Sequence, residues 1–334
     1  MKAISRAAVV LIPFLLWGLV SGAPQGAAQT DSDAQIVEPI TAIAPPGNLE
    51  PDKVQLGEML FADKQLSSKG MLACLSCHDL SVGGTVRERR TIGYDGRTHR
   101  FNAPSIFNVG LNYRLGWRGN FTSLELQNEA VLLDRNLMSM TWPELIARLR
   151  ANRWYAAKFK ATYGREVRRE DVLNALATYE RSLVTPDAPF DRYLSGKITA
   201  ISGNAINGYR IFKQYGCASC HQGVNVGGNV FQKFGIFSGA EPSLNTENDG
   251  NLGRWTVTHS LSDIGVFRVP SLRNVELTAP YFHDGRTDTL DEAVRIMGRT
   301  QLGQELSDRE VEDLVNFLET LTGKYRGKSL QSTR

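Results

Sequence analysis

The sequence predicts an all-α fold in two domains, and three observations carry that expectation. Apolar residues recur at helical spacing behind capping signals, strand-like alternation is weak throughout, and one Cys-x-x-Cys-His run occurs once in each half of the chain.

Residues 1–28 stand outside the expected fold. Lys2 and Arg6 precede the apolar run Ala7 to Val20, and small residues follow at Gly26-Ala27-Ala28, the layout of a cleavable secretory signal peptide. The run is shorter than the ~20 apolar residues that span a bilayer. The mature protein is therefore expected to be exported and soluble, in a bacterial periplasm. About 300 residues remain, more than one ordinary core holds, and they suit two domains, 29–194 and 195–334, divided within the Pro186 to Gly203 stretch. A hydrophobic share of 42% and a formal net charge of +3 with scattered Lys and Arg fit a globular protein. They argue against nucleic-acid binding and leave room for a charge-steered protein partner.

The helices follow in chain order. Thr141-x-x-Glu144 has the form of a capping box ahead of Leu145, Ile146 and Leu149, and Val172, Ala175, Leu176, Tyr179 and Leu183 share one face of a second helix. Thr289-x-x-Glu292 opens a third, with Ala293, Val294 and Met297 at helical spacing. Ser307-x-x-Glu310 opens the last, which carries Val311, Leu314, Val315, Leu318 and Leu321 and is expected to stop at Gly323. Between the helices lie two Gly- and Asn-rich stretches, Ser81 to Asn112 and Gly223 to Gly253, longer than loops in compact domains usually are. Such loops need something to wrap around, and a large flat cofactor would serve.

"CLSCH" at Cys74 to His78 and "CASCH" at Cys217 to His221 use every cysteine in the chain and lie 143 positions apart. Their placement suggests duplication of one cofactor-binding unit, although identity between the halves is slight outside the motifs. Two disulfides are the plain alternative in an oxidising compartment, but they leave His78 and His221 unexplained. Zinc would require an adjacent Cys and His to reach one tetrahedral ion, and a redox dithiol would expect a βαβ context that is missing. Covalent haem c accounts for every position. Cys74 and Cys77, like Cys217 and Cys220, add to the two vinyl groups, and His78 or His221 becomes the proximal iron ligand. Two covalently bound haem c groups are therefore expected. The sixth position of each iron separates electron transfer from catalysis, since a Met or His there gives a carrier and an open face admits a small molecule.

The segment "VFRVPSLRNVELTAPYFHDGRTDTLDEAVRIMGRTQLG" (Val266 to Gly303) closely resembles the bacterial dihaem cytochrome c peroxidases, the superfamily that includes the MauG-type enzymes. The likeness extends over "GEMLFADKQLSSKGMLACLSCHDLSVGGT" and "NAPSIFNVGLNYRLGWRGN", hence over most of the mature chain. It implies two cytochrome c-like domains, with a peroxide-reacting haem in the N-terminal one and an electron-relaying haem in the C-terminal one. Met297 matches the methionine that ligates the relaying haem, where MauG carries a tyrosine, and Trp117 matches the tryptophan between the haems. Asn102, Thr278 and Pro280 match an interdomain Ca²⁺ site made of the Asn side chain and backbone carbonyls, oxygen ligands that suit a hard cation. The resemblance also implies that two copies of the chain can pair as a homodimer, for which the sequence carries no interface signature.

On the distal side of the first haem the match breaks. Gln127 falls where the family's active-site glutamine lies, but Leu137 stands in place of the glutamate and Tyr94 in place of the removable distal histidine. Without that histidine the first haem is expected to bind peroxide without reductive activation. Without the glutamate, proton transfer worth roughly 10²–10⁴-fold needs another source. Asp134, His99, Tyr94 or a water held by Gln127 are the groups at hand. Three functions follow from the resemblance, in this order. The first is a periplasmic peroxidase that reduces H₂O₂ to water with electrons from a small cytochrome c or copper protein. The second is a MauG-like enzyme that uses H₂O₂ to oxidise a tryptophan or tyrosine of a partner protein. The third is a non-enzymatic dihaem electron carrier or redox sensor.

Overall fold

The structure is a computed structural model that describes residues 38–238 and 250–330. The expected signal peptide at 1–28 lies outside the described residues. None of the described helices is long and apolar enough to cross a membrane.

Ten α-helices appear among the described residues. In the first half they are α1 (Pro51–Ala62), α2 (Leu124–Leu133), α3 (Trp142–Ala151), α4 (Arg153–Tyr163), α5 (Arg169–Ser182) and α6 (Pro189–Leu194). The second half adds α7 (Gly203–Gln214), α8 (Trp255–Thr258), α9 (Leu290–Met297) and α10 (Asp308–Glu319). The strands are short: β1 (Phe231–Lys233) pairs antiparallel with β2 (Val266–Arg268), and β3 (Lys324–Tyr325) with β4 (Lys328–Ser329).

The helices build two apolar cores. One gathers Leu56, Leu60, Leu145, Leu149, Phe159 and Leu176; the other gathers Tyr209, Phe212, Val275, Leu314, Phe317 and Leu318. Each core is organised by a pair of helices crossing at a glycine. A Cβ on Gly57 of α1 would lie 2.0 Å from the Ala175 carbonyl of α5, and one on Gly208 of α7 would lie 1.8 Å from the Asp313 carbonyl of α10. No side chain fits either crossing, so glycine is what lets the backbones touch. In both halves the cysteine motif directly follows the connection from the first helix of the pair, and the second helix closes the unit.

Some segments pack on the core of the other half. Ile40 and Phe190 belong to the second core, while Tyr325 and Leu330 pack against the first. Arg273 reaches Asp191 at 2.7 Å and the Thr41 carbonyl at 2.8 Å, fully buried.

Local signals hold to different degrees. Ser307 and Glu310 form the expected capping box, and Thr289 accepts from the Glu292 N–H. Thr141 makes no side-chain cap, and the Glu144 side chain pairs with Arg148 one turn on, at 2.5 Å. The last helix ends at Glu319 rather than at Gly323. Gly323 serves close packing instead, since a Cβ there would lie 2.0 Å from the Thr185 carbonyl.

Candidate active site

The two cysteine motifs fold alike. Cys74–Ser76 and Cys217–Ser219 each form one 3₁₀ turn, and the N–H of His78 or His221 returns to the carbonyl of Cys74 or Cys217, at 3.0 and 2.9 Å. All four cysteines are free thiols, so neither pair closes as a disulfide. Each imidazole is oriented through Nδ1, His78 against the Gly84 carbonyl at 3.2 Å and His221 against the Val226 carbonyl at 3.4 Å. That bond leaves Nε2 as the lone-pair nitrogen for a metal. Burial keeps both rings neutral: it lowers His78 below the usual imidazole range and takes His221 to about 4.

Around the second motif lies a cavity of about 280 Å³, lined mainly by apolar side chains and reached by Cys217, Cys220, His221 and Met297. Met297 ends α9, and Gly298–Leu302 continues as a π-helical turn that packs Gly298 against Leu306. Arg268 also lines this cavity. Its Nε bonds the Gly116 carbonyl, and burial lowers the guanidinium to about 10 with no carboxylate partner among the described residues. Paired thiols, a neutral imidazole, a thioether, an apolar slot and a buried cation lacking an anion together fit haem c, whose propionates would answer Arg268.

Asn102, Trp117, Thr278 and Pro280 line the same cavity. Asn102 is buried. Its Nδ2 donates to the carbonyls of Glu88 and Arg89, and its own carbonyl accepts from Trp117 Nε1 at 2.8 Å. The described residues contain no hydrogen bond to the carbonyl oxygen of Thr278 or of Pro280. The Trp117 ring meets His283 edge-on with centroids 6.4 Å apart, and His283 stacks on Phe267 at 4.2 Å.

The distal candidates of the first site lie on a different set of elements. Gln127 sits on α2, and its buried Oε1 has no partner; Tyr94 Oη is likewise buried without one. The Tyr94 N–H donates to the Asn136 carbonyl at 3.0 Å, fixing its loop to the turn after α2, while Thr91 of the same loop contacts the Cys77 thiol. Leu137 is half-buried in that turn. The Asp134 carboxylate is engaged locally, accepting from the Asn136 N–H at 2.7 Å, and His99 Nδ1 faces the Phe101 carbonyl.

Two features escaped the sequence reading. Arg268 lay inside the quoted "VFRVPS" run without a role. Glu180 lies four residues after Leu176, on the apolar face of α5, and is buried against Asn128. A charged residue within an apolar stripe was the available signal.

Comparison with known proteins agrees with this arrangement. A family model described as di-haem cytochrome c peroxidase matches residues 51–199, and one described as cytochrome c matches 205–322. The chain is 39% identical to cytochrome c551 peroxidase of Nitrosomonas europaea, over 92% of this chain and 90% of that one. It is 33% identical to the methylamine utilization protein MauG of Methylorubrum extorquens, over 82% and 79%. Among solved structures, a MauG-like protein associated with microbial copper homeostasis superposes with a TM-score of 0.75 at 28% identity, covering 85% of this chain and 94% of that one.

Proposed function

Because this chain belongs to the di-haem cytochrome c peroxidase and MauG family, we propose that it is an exported peroxidase that reduces H₂O₂ to water at the site of Cys74, Cys77 and His78. The sharing of one cavity by His221 and Met297 is the observation that supports this reading, in which the two haem sites are unequal.

When bound, the haem iron supplies the redox chemistry by which peroxide takes up two electrons and two protons and leaves as two waters. The chain's own residues do the rest. Cys74 and Cys77 would tether the first haem, and Cys217 and Cys220 the second. The Gly84 and Val226 carbonyls hold His78 and His221 with Nε2 presented as ligand. Met297, which lines the cavity of His221, would hold the second haem from across that cavity and keep small molecules from its iron. At the first site Gln127 and Tyr94 each bring a buried, unpartnered oxygen. We assign Gln127 Oε1 to accept from a peroxide O–H and Tyr94 Oη to donate to its far oxygen. No distal histidine blocks this site, so it takes peroxide in the oxidised state. Trp117, held by the Asn102 carbonyl, is the stepping stone between the haems. Asn102 Oδ1 with the Thr278 and Pro280 carbonyls would hold Ca²⁺, and the 194/195 boundary divides the two domains.

The electron donor in this reading is a small cytochrome c or copper protein. Steady turnover of H₂O₂ with such a reduced donor is the test, and absence of turnover with several donors contradicts it. A second reading is favoured by the Trp117–His283–Phe267 aromatic contacts. In it, oxidising equivalents leave through this route to a tryptophan or tyrosine of a partner protein.

A further inference from the structure

A carboxyl group inside an apolar core is costly unless something there uses it. Glu180 is 4% exposed, on α5 within the first core. Its one hydrogen bond among the described residues comes from Asn128 Nδ2 to its Oε2, at 2.9 Å. Asn128 follows Gln127 on α2, so this bond ties the helix of the distal glutamine to α5. Among the described residues no cation pairs with Glu180, and the adjacent Arg181 reaches Glu125 of α2 instead, at 2.7 Å. The face that α1 buries offers only Leu56, Gly57, Leu60 and Phe61. Burial therefore dominates and raises the carboxyl to about 8, against the opposing pull of Asn128 and Arg181 and with a smaller push from Glu125.

Glu180 also acts on the first cysteine motif. Cys74 packs against the same core that holds Leu176, Ala177 and Tyr179 of α5, and its thiol is pushed up by burial first and by the Glu180 charge second. In the haem-bearing protein Cys74 is a thioether and no longer titrates. The group at that edge whose charge changes is then the haem itself.

We propose that Glu180, held by Asn128 in the core against which Cys74 packs, is a proton-binding site coupled to the redox state of the first haem. Linkage between the two is reciprocal: an electron added beside an ionised carboxylate favours proton uptake, and loss of that proton disfavours the electron. The electron comes from a small redox protein, the proton from solvent, and each electron taken up by the haem is matched by at most one proton on Glu180. The site thus stores a proton in a domain where Leu137 supplies none. This rests on haem attachment at Cys74 and not on what the oxidised site goes on to react with.

The test is a spectroelectrochemical titration of the haem-loaded protein from about pH 6 to about pH 10, spanning the raised carboxyl. In wild type the first haem's reduction equilibrium stays level below about 8 and falls above it, by up to tenfold per pH unit, or 59 mV for one electron. Glu180→Gln, a neutral isostere of the protonated acid, keeps the wild-type value at the acid end and stays level throughout. Asn128→Ala removes a bond that favours the carboxylate, so the break moves to higher pH. The second haem's curve is the same in all three. A Glu180→Gln curve that follows wild type, or a break that Asn128→Ala leaves in place, overturns the proposal. Because no peroxide is present, failure of the peroxidase reading would leave these curves readable.

Discussion

Asn108 and Asn274 meet across Thr185. Asn108 Oδ1 accepts from the Thr185 N–H at 2.8 Å and its Nδ2 donates to Thr185 Oγ1, which also accepts from Asn274 Nδ2 at 3.0 Å. Both asparagines are buried in the left-handed region, at φ 58° and 59°, and each opens a 3₁₀ turn. They occupy matching positions in "PSIFNVGL" and "PSLRNVEL", so the two halves dock through equivalent residues.

That relationship predicts a stability cost. Asn274→Ala leaves the buried Thr185 hydroxyl with Asn108 alone and strands the Gly323 N–H that Asn274 bonds through Oδ1 at 3.0 Å, and it places alanine at a strained φ. The loss should be about 2–4 kcal/mol. Asn274→Gly relieves the strain alone and should cost less. Thermal denaturation of the two variants checks the order.

Met297→Ala should abolish the low-spin His/Met signature of one haem and leave the other unchanged. Electron paramagnetic resonance of the oxidised protein reads this directly, and loss of both signals or of neither contradicts the assignment of Met297 to His221.

Leu137→Glu should restore the acid that the family's pattern places there and speed reaction with H₂O₂ by about a hundredfold, the low end of what general acid–base help supplies. Gln127→Leu should slow it by about tenfold, the worth of one hydrogen bond. Stopped-flow rates with peroxide measure both.

Calcium removal should perturb the spectra of the wild-type protein, and added Ca²⁺ should reverse the change. Asn102→Ala should show the perturbed spectrum from the start and respond to neither chelator nor Ca²⁺.

Glu180 also predicts how stability depends on pH. Its folded value of about 8 lies above the ordinary carboxyl value of 4.5, so between those limits the folded state holds a proton that the unfolded state has released. Stability therefore falls as pH rises through that window, by at most about 1.4 kcal/mol per unit, and levels off above it. Glu180→Gln should lose this fall, as melting curves across the window would show.

The fold class was legible because helical spacing and capping chemistry are local. Ser307 with Glu310 and the α5 stripe could be read directly. Helices α1, α2, α4 and α7 were not, because their faces are defined by what they pack against. The Gly57 and Gly208 crossings, for instance, require two segments far apart in sequence. The two Cys-x-x-Cys-His turns were legible because covalent haem attachment demands a fixed spacing. The Asn108–Thr185–Asn274 junction, Arg268 and Glu180 were not, since a buried polar residue is informative only once its surroundings are known. The Asn108 and Asn274 segments repeat 166 positions apart rather than 143. This shift hid the second half of the duplication.

The central claim is that the two haem sites are unequal, with the second closed by Met297 and the first open at rest. Optical and electron paramagnetic resonance titration with H₂O₂, begun from the fully oxidised protein with no reductant, tests it most directly. One low-spin His/Met signal and one high-spin signal are expected at rest, with the high-spin signal consumed by about one equivalent of peroxide. Two low-spin haems that ignore peroxide until an electron is supplied would contradict it.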